Sequence, residues 1–136
     1  MNAPDRLHEL LFEMMRKFKQ QLSADGGSSM SYLHVETLRF IKEAEAPDMG
    51  AVAGYLRVAA PSATAFVNAL ADDGLVSRKP DPEDRRRVML AVTAKGVRAL
   101  SAAAKRREAA FDRVFAPLSP ADRREMARIL TIITKR

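Results

Sequence analysis

The sequence of 136 residues contains no cysteine and only two histidines, His8 and His34. Without cysteine the chain has no disulfide, no thiolate nucleophile and no cysteine-ligated zinc or iron–sulfur site. The two histidines are 26 residues apart, which does not match a metal-binding helix motif, and the glycine-rich phosphate loops of nucleotide enzymes are also missing. The sequence therefore predicts no metal site and no cofactor, and it does not favour an enzyme.

Long apolar segments are missing as well. The longest uncharged run, residues 58–71, has 14 residues and includes a proline and three polar side chains, whereas a membrane-spanning helix needs about 20 mostly apolar residues. The first residues also lack the basic segment and apolar stretch of a secretory signal. We therefore expect a cytoplasmic protein with no membrane partner.

Positive charge is concentrated in one part of the chain. The net charge is +6, and residues 77–113 contain 11 basic and 5 acidic residues, while the 12 basic and 12 acidic residues elsewhere cancel. A local excess of this kind attracts an anionic partner such as nucleic acid. The anion-binding surface is therefore expected within residues 77–113.

The spacing of apolar residues predicts a mainly α fold with a small β-hairpin. Ser31, Asp48, Thr93 and Ser119 are the expected N-caps, and Gly74 is expected to end the fourth helix. In chain order, the expected helices cover residues 5–22, residues 31–45, a short segment from Asp48, residues 60–73, a long segment from Thr93 to about Phe115, and a last segment from Ser119. The expected strands cover residues 75–79 and 87–92.

Residues 48–92 combine two short helices, joined by a tight turn, with two strands around a basic loop. This order is typical of a helix-turn-helix followed by a β-wing. Two short helices alone would more often belong to a packed core, and a charged hairpin alone would more often be a solvated turn. The helix pair followed directly by the charged hairpin favours DNA binding.

Three stretches of this segment resemble the MarR family of bacterial transcription regulators: Leu70–Val76, Pro80–Val88 and Val92–Gly96. The Asp84-Arg85-Arg86 wing and the Thr93-Ala94-Lys95-Gly96 helix start are the most specific pieces, and the resemblance covers about residues 31–100. It implies a winged helix-turn-helix with N- and C-terminal dimerisation helices. Residues 1–30 would form the N-terminal dimerisation helix and loop, 31–100 the DNA-binding lobe, and 101–136 the C-terminal dimerisation helices.

The resemblance also implies a function. We expect a sequence-specific regulator, a repressor, that binds a palindromic operator in double-stranded DNA as a homodimer and is released by a small aromatic or phenolic anion. The residues of the effector pocket do not follow from the resemblance. Met14, Phe18, Tyr32 and Phe40 are candidates for its lining, although core packing is the favoured interpretation of each.

By position the recognition helix covers residues 60–73. Asn68 can form two hydrogen bonds with adenine, Ser62 lies near the helix N-terminus, where phosphate binds, and Ala65 can touch a thymine methyl. No Lys or Arg lies in this helix, so its readout of guanine should be weak. The expected DNA contacts of the helix are Pro61, Ser62, Thr64, Ala65 and Asn68.

The affinity for DNA is expected to come from basic residues around this helix. Arg86 matches the wing position that enters the minor groove, and Asp84 would orient its guanidinium. The other expected contacts are to phosphates, from Arg57, Arg78, Lys79, Arg85 and Arg87. A surface loop whose charges neutralise each other is the alternative interpretation of the wing.

Apolar residues of the first and last helices exceed what one small domain can cover, which predicts a homodimer interface. These residues are Leu7, Leu11, Met14, Phe18, Ile129, Leu130 and Ile133. For the whole chain, an architectural or sequence-nonspecific nucleic-acid-binding protein is the alternative, because phosphate contacts alone explain the basic segment.

Overall fold

The computed structural model describes residues 6–24 and 30–135. Within them lie six α-helices and two β-strands, which confirms the predicted mainly α fold with a hairpin. The predicted helix start at Asp5 and the predicted loop at residues 25–29 lie outside the described residues. The elements are α1 (Leu7–Ala24), α2 (Tyr32–Glu43), α3 (Met49–Leu56), α4 (Ala60–Asp72), β1 (Val76–Pro80), β2 (Val88–Val92), α5 (Ala94–Phe115) and α6 (Pro120–Thr134).

The chain divides into two compact units, and α5 contributes residues to both. One unit, here called the central lobe, comprises residues 28–104, and the other, the terminal-helix unit, comprises residues 1–27 and 105–136. The central lobe therefore contains α2, α3, α4, the hairpin and the first half of α5. The terminal-helix unit contains α1, the second half of α5, and α6.

The core of the central lobe joins three helices to both strands of the hairpin, since Val76 of β1 and Leu90 of β2 are buried in it. Burying each large apolar side chain contributes roughly 1.5–3 kcal/mol, so the buried side chains of α4 help to hold this helix against the core. Its largest fully buried apolar side chains are Leu38 and Ile41 on α2, Val52 on α3, Val67 and Leu70 on α4, and Leu90 on β2.

The predicted helix caps are confirmed. The side chains of Ser31 and Asp48 accept hydrogen bonds from the third backbone N–H of α2 and of α3, and Ser119 forms a reciprocal capping box with Asp122. The Oγ1 of Thr93 accepts from the backbone N–H of Gly96 at 3.0 Å. Such caps satisfy backbone donors that the first turn of a helix leaves unpaired.

β1 and β2 pair antiparallel, with Val76 opposite Val92. The hairpin is also joined to the segment before α3, because the backbone N–H of Leu90 donates to the carbonyl of Pro47 at 2.9 Å. The two strands thus extend from the core, while their connecting loop, residues 81–87, projects beyond it.

The start of α5 is tied to the turn that follows α4. The hydroxyl of Thr93 donates to the carbonyl of Gly74 at 2.6 Å, and Nζ of Lys95 donates to the carbonyl of Asp73 at 2.7 Å. Gly74 itself has a φ of 75°, the left-handed conformation that glycine adopts without strain. These bonds fix the end of α4, the hairpin and α5 relative to one another.

Gly96 allows the closest approach in this junction. A Cβ at this position would stand 2.2 Å from the carbonyl oxygen of Leu75 and 2.6 Å from Cγ1 of Val92. Neither neighbour is the free end of a flexible side chain, so the backbone would have to move. Glycine is therefore required at position 96 because no side chain fits there, and not because the backbone adopts an unusual φ.

We expect Gly96→Ala to lower the free energy of unfolding by about 1–3 kcal/mol, because the added methyl overpacks the junction. Gly54→Ala is the matched control: nothing lies within 4 Å of its Cβ position in α3, so alanine should stabilise that helix by up to about 1 kcal/mol. Urea unfolding followed by circular dichroism measures both. Equal effects of the two substitutions would contradict the packing argument.

Candidate nucleic-acid interface

The exposed face of α4 gathers the five helix residues that the sequence singled out. Pro61 lies in the first turn of α4, while Ala63, Val67 and Leu70 are buried in the core. The opposite face of α4 is open to solvent and carries small, uncharged side chains, so a nucleic-acid backbone or base edge can approach it closely. Its residues are Pro61, Ser62, Thr64, Ala65 and Asn68.

The turn between α3 and α4 sets the angle at which α4 leaves the core. Arg57 ends α3 with φ 55° and ψ 45°, a left-handed conformation that is uncommon for a residue with a side chain. Its side chain is exposed. Arg57 therefore shapes the helix-turn-helix and also places a positive charge beside α4.

The hairpin loop is closed by hydrogen bonds of its own. The backbone N–H of Asp81 donates to the carbonyl of Arg87 at 2.9 Å, and Oδ1 of Asp81 accepts from the backbone N–H of Glu83 at 2.9 Å. Oδ1 of Asp84 accepts from the backbone N–H of Arg86 at 3.0 Å. Acidic residues thus hold the loop in shape from within.

The expected contact between Asp84 and the guanidinium of Arg86 is wrong. Asp84 bonds the backbone of Arg86 instead, because a carboxylate two residues earlier closes a local turn more easily than it reaches the end of a long side chain. Among residues 6–24 and 30–135, the side chains of Lys79, Arg85 and Arg86 have no hydrogen-bond or ion-pair partner, and all three are exposed. These three cations remain available to an external anion.

Arg87 has a different role from the one expected for a phosphate contact. Its guanidinium pairs with the N-cap Asp48, with Nε and Nη2 at 3.0 and 2.8 Å from Oδ2, and Nη1 lies 3.8 Å from Oδ2 of Asp81. The pair joins the hairpin to the start of α3. Because the Asp48 carboxylate accepts from the backbone N–H of Ala51 and from Arg87, its pKa lies below the usual range of an aspartate.

Arg78 connects the hairpin to the exposed face of α4. This residue lies on β1, and its Nη2 donates a hydrogen bond to Oδ1 of Asn68. Two residues that the sequence predicted as separate contacts are therefore brought together. The hairpin and the recognition surface of α4 are consequently continuous within the central lobe.

A cluster that the sequence reasoning missed fixes α3 on α2. The guanidinium of Arg39 bonds both Glu36 and Glu43 on α2, and it also donates to the hydroxyl of Tyr55 on α3 at 2.9 Å. Hydrogen bonding to Glu36 raises the pKa of the Tyr55 hydroxyl. The spacing of the charges on α2 was visible in the sequence, but the partner on α3 was not.

The candidate effector-lining residues behave differently from one another. Phe40 stacks on Tyr55 with ring centroids 4.3 Å apart, and Phe18 stacks on Phe111 at 4.0 Å, which confirms the packing interpretation for these two. Met14 lines an apolar groove of about 280 Å³ in the terminal-helix unit. Tyr32 is 71% exposed, so packing in the core is wrong for it.

The predicted dimer residues leave a broad apolar surface in the terminal-helix unit. Leu7 is 69% and Ile133 71% exposed, whereas Met14 and Phe18 are half-buried. The remaining predicted residues, Leu11, Ile129 and Leu130, are exposed too. Four further exposed apolar residues, which the sequence pattern did not single out, are Leu10, Phe12, Met15 and Ile132.

Two other kinds of feature are absent from the part of the chain that the structure describes. No group of three or more His, Asp or Glu side chains there is arranged to hold a metal ion. None of the helices there is both long and apolar enough to cross a membrane.

Sequence comparison agrees with this geometry. Residues 30–88 match the profile of the MarR family. An uncharacterised HTH-type transcriptional regulator of Mycobacterium leprae is 32% identical over 100 residues, which cover 74% of this chain and 70% of that protein.

Solved structures share the fold at low sequence identity. FabT of Streptococcus pneumoniae, solved in complex with DNA, has a TM-score of 0.75 and 21% identity, with 96% of this chain and 94% of that chain covered. BpsR of Bordetella bronchiseptica, whose DNA binding is regulated by 6-hydroxynicotinic acid, has a TM-score of 0.65 and 18% identity, with 99% and 94% covered.

The pairing of Arg87 with Asp48 can be tested by titration. In Arg87→Ala we expect the Asp48 pKa to rise towards the usual range without reaching it, because the bond from Ala51 remains. Carbon-detected NMR of the carboxyl group measures this pKa, and Arg85→Ala, which removes an unpaired neighbour, should leave it unchanged. An Asp48 pKa that does not respond to Arg87→Ala would contradict the pairing.

Proposed function

The chain belongs to the MarR family of transcriptional regulators, and we propose that it is a repressor that binds a palindromic operator as a homodimer and is released by a small-molecule effector. In this proposal residues 31–100 form the DNA-binding lobe, and residues 1–30 and 101–136 serve dimerisation. Since the proposed partner is double-stranded DNA, we also propose that the protein is cytoplasmic.

The observation that carries the DNA-binding proposal is the continuity between α4 and the hairpin. Arg78 of β1 bonds Asn68 on the exposed face of α4, so one surface offers small polar side chains for base edges next to the unpaired cations of the wing. A winged helix places its second helix in the major groove and supports it with phosphate contacts. Arg57, Lys79 and Arg85 are proposed phosphate contacts, and Arg86 the minor-groove contact.

Dimerisation is supported by the apolar surface of α1 and α6. Exposed leucines, isoleucines and a phenylalanine on these two helices are costly to leave in water, and a second copy is the partner that would cover both sets at once. Two-fold symmetry of the protein would then require a palindromic operator, with half-site centres about 10–10.5 base pairs apart.

Release by an effector is supported by the BpsR comparison, in which an aromatic acid regulates DNA binding. We propose the same class of effector, a small aromatic or phenolic anion, for this chain. The central lobe contains a cavity of about 400 Å³ whose lining includes His34, Asp73 and Lys95, and of these the Lys95 ammonium is the group that suits an anion.

The alternative, a nonspecific or architectural DNA-binding protein, differs in its preference for sequence. A regulator prefers its operator over random duplex by roughly 10³-fold or more. Competition between an enriched operator and random duplex at fixed salt therefore separates the two functions.

For the wing we expect Arg86→Ala to weaken binding to operator and, less strongly, to random DNA. The plot of log affinity against log salt should become flatter by roughly one unit, because one counterion-releasing contact is lost. Lys42→Ala, which removes an exposed charge outside the proposed interface, is the control and should change neither the affinity for DNA nor the salt slope. An unchanged salt slope in Arg86→Ala would show that Arg86 is not part of the DNA interface.

For Asp84→Ala, simple electrostatics predicts tighter binding, because a negative charge near DNA disappears. We expect weaker binding instead, since the loop that presents Arg86 loses the hydrogen bond to its backbone. The same salt titration measures this variant.

For the dimer we expect Ile129→Glu to bury an unpaired charge in the interface, which costs several kcal/mol and dissociates the protein. Light scattering should give the wild type twice the 15.0 kDa of one chain and the variant the mass of one. Lys42→Glu in the central lobe is the matched control and should remain a dimer. A monomeric wild type at micromolar concentration would refute the dimer.

A further inference from the structure

Arg78 and Asn68 form a hydrogen-bonded pair at the edge of the surface that α4 exposes. A terminal nitrogen of the arginine donates to Oδ1 of the asparagine, and both side chains are exposed. Arg78 comes from β1 and Asn68 from α4, so the pair depends on the junction between the helix and the hairpin. The recognition surface therefore contains a guanidinium, although α4 itself has no Lys or Arg.

The chemistry of the pair determines which end of the amide is free. A guanidinium has five N–H donors and no acceptor, so Asn68 must turn its oxygen towards Arg78. The amide nitrogen, with two donors, is then the remaining hydrogen-bonding end. No acceptor for it occurs among residues 6–24 and 30–135.

This arrangement is unsuited to adenine. The major-groove edge of adenine combines the N7 acceptor with the N6 donor, so an asparagine that reads it must both donate and accept. The oxygen of Asn68 retains a second lone pair, but the guanidinium of Arg78 already occupies that end, and an adenine amino group would compete with it.

Guanine has the complementary edge. Its N7 and O6 are both acceptors, and the pair has donors to spare on the Asn68 amide nitrogen and on the remaining N–H groups of Arg78. We propose that Arg78 is a specificity-determining residue which, by holding the amide oxygen of Asn68, makes the pair read guanine in place of adenine. This rests on the proposed function, in which α4 enters the major groove.

The test is selection from a pool of duplexes with a random core of about 20 base pairs, enough for two half-sites. The wild type should enrich guanine at one base pair in each half-site. In Arg78→Ala the released Asn68 should prefer adenine at that base pair, and affinity for the guanine operator should fall about tenfold. The double variant Asn68→Ala/Arg78→Ala should show no preference there.

Lys79→Ala is the matched control, since Lys79 is the next exposed cation on β1 and points to the other face of the strand. It should weaken binding to all sequences equally and leave the base preferences unchanged. Circular dichroism should show that each variant keeps the fold, because all three altered side chains are exposed.

The outcomes separate the two proposals. A wild type that enriches no sequence would refute sequence-specific regulation, and this inference with it. A wild type that enriches an operator, while Arg78→Ala enriches the same one with the same base preferences, would refute the inference alone. Enrichment of adenine by the wild type, at the base pair whose preference disappears in the double variant, would also refute it.

Discussion

The packing of α5 against the turn after α4 is the constraint on which the rest of the central lobe depends. Gly96 lets the first turn of α5 lie directly against the carbonyl of Leu75, and the side chains of Thr93 and Lys95 bond the carbonyls of Gly74 and Asp73, which follow α4. The end of α4, the start of β1 and the start of α5 are thus fixed relative to one another at this junction. Any change in that junction would alter the position of α4 and of the hairpin together.

The charges of the basic segment divide into two groups with different physical roles. Arg87 is paired with Asp48 and holds the hairpin to α3, whereas Lys79, Arg85 and Arg86 have no partner in the described chain. Acidic residues of the loop are used to shape its backbone. The loop itself therefore has as many acidic as basic residues, and most of the positive excess of residues 77–113 lies in α5, which carries six basic and two acidic residues.

Much of the fold followed from local sequence signals. Caps, apolar stripes and Gly74 act within a few residues of their own element, so the helices and the hairpin were predicted to within a few residues. The predicted site residues were also placed on the expected elements, but their partners were not foreseen. The bonds from Arg87 to Asp48 and from Arg78 to Asn68 join residues of separate elements, and no local pattern records such a contact.

The left-handed backbone of Arg57 has a consequence for how this protein can vary. Glycine or asparagine would adopt φ 55° at less cost than arginine, so the turn would be more stable with either of them. Either would also remove a positive charge next to α4. At this position a gain in folding stability and, in the proposed DNA complex, a loss of attraction for DNA come from the same substitution, so under that proposal thermostability and tight DNA binding cannot both be maximised there.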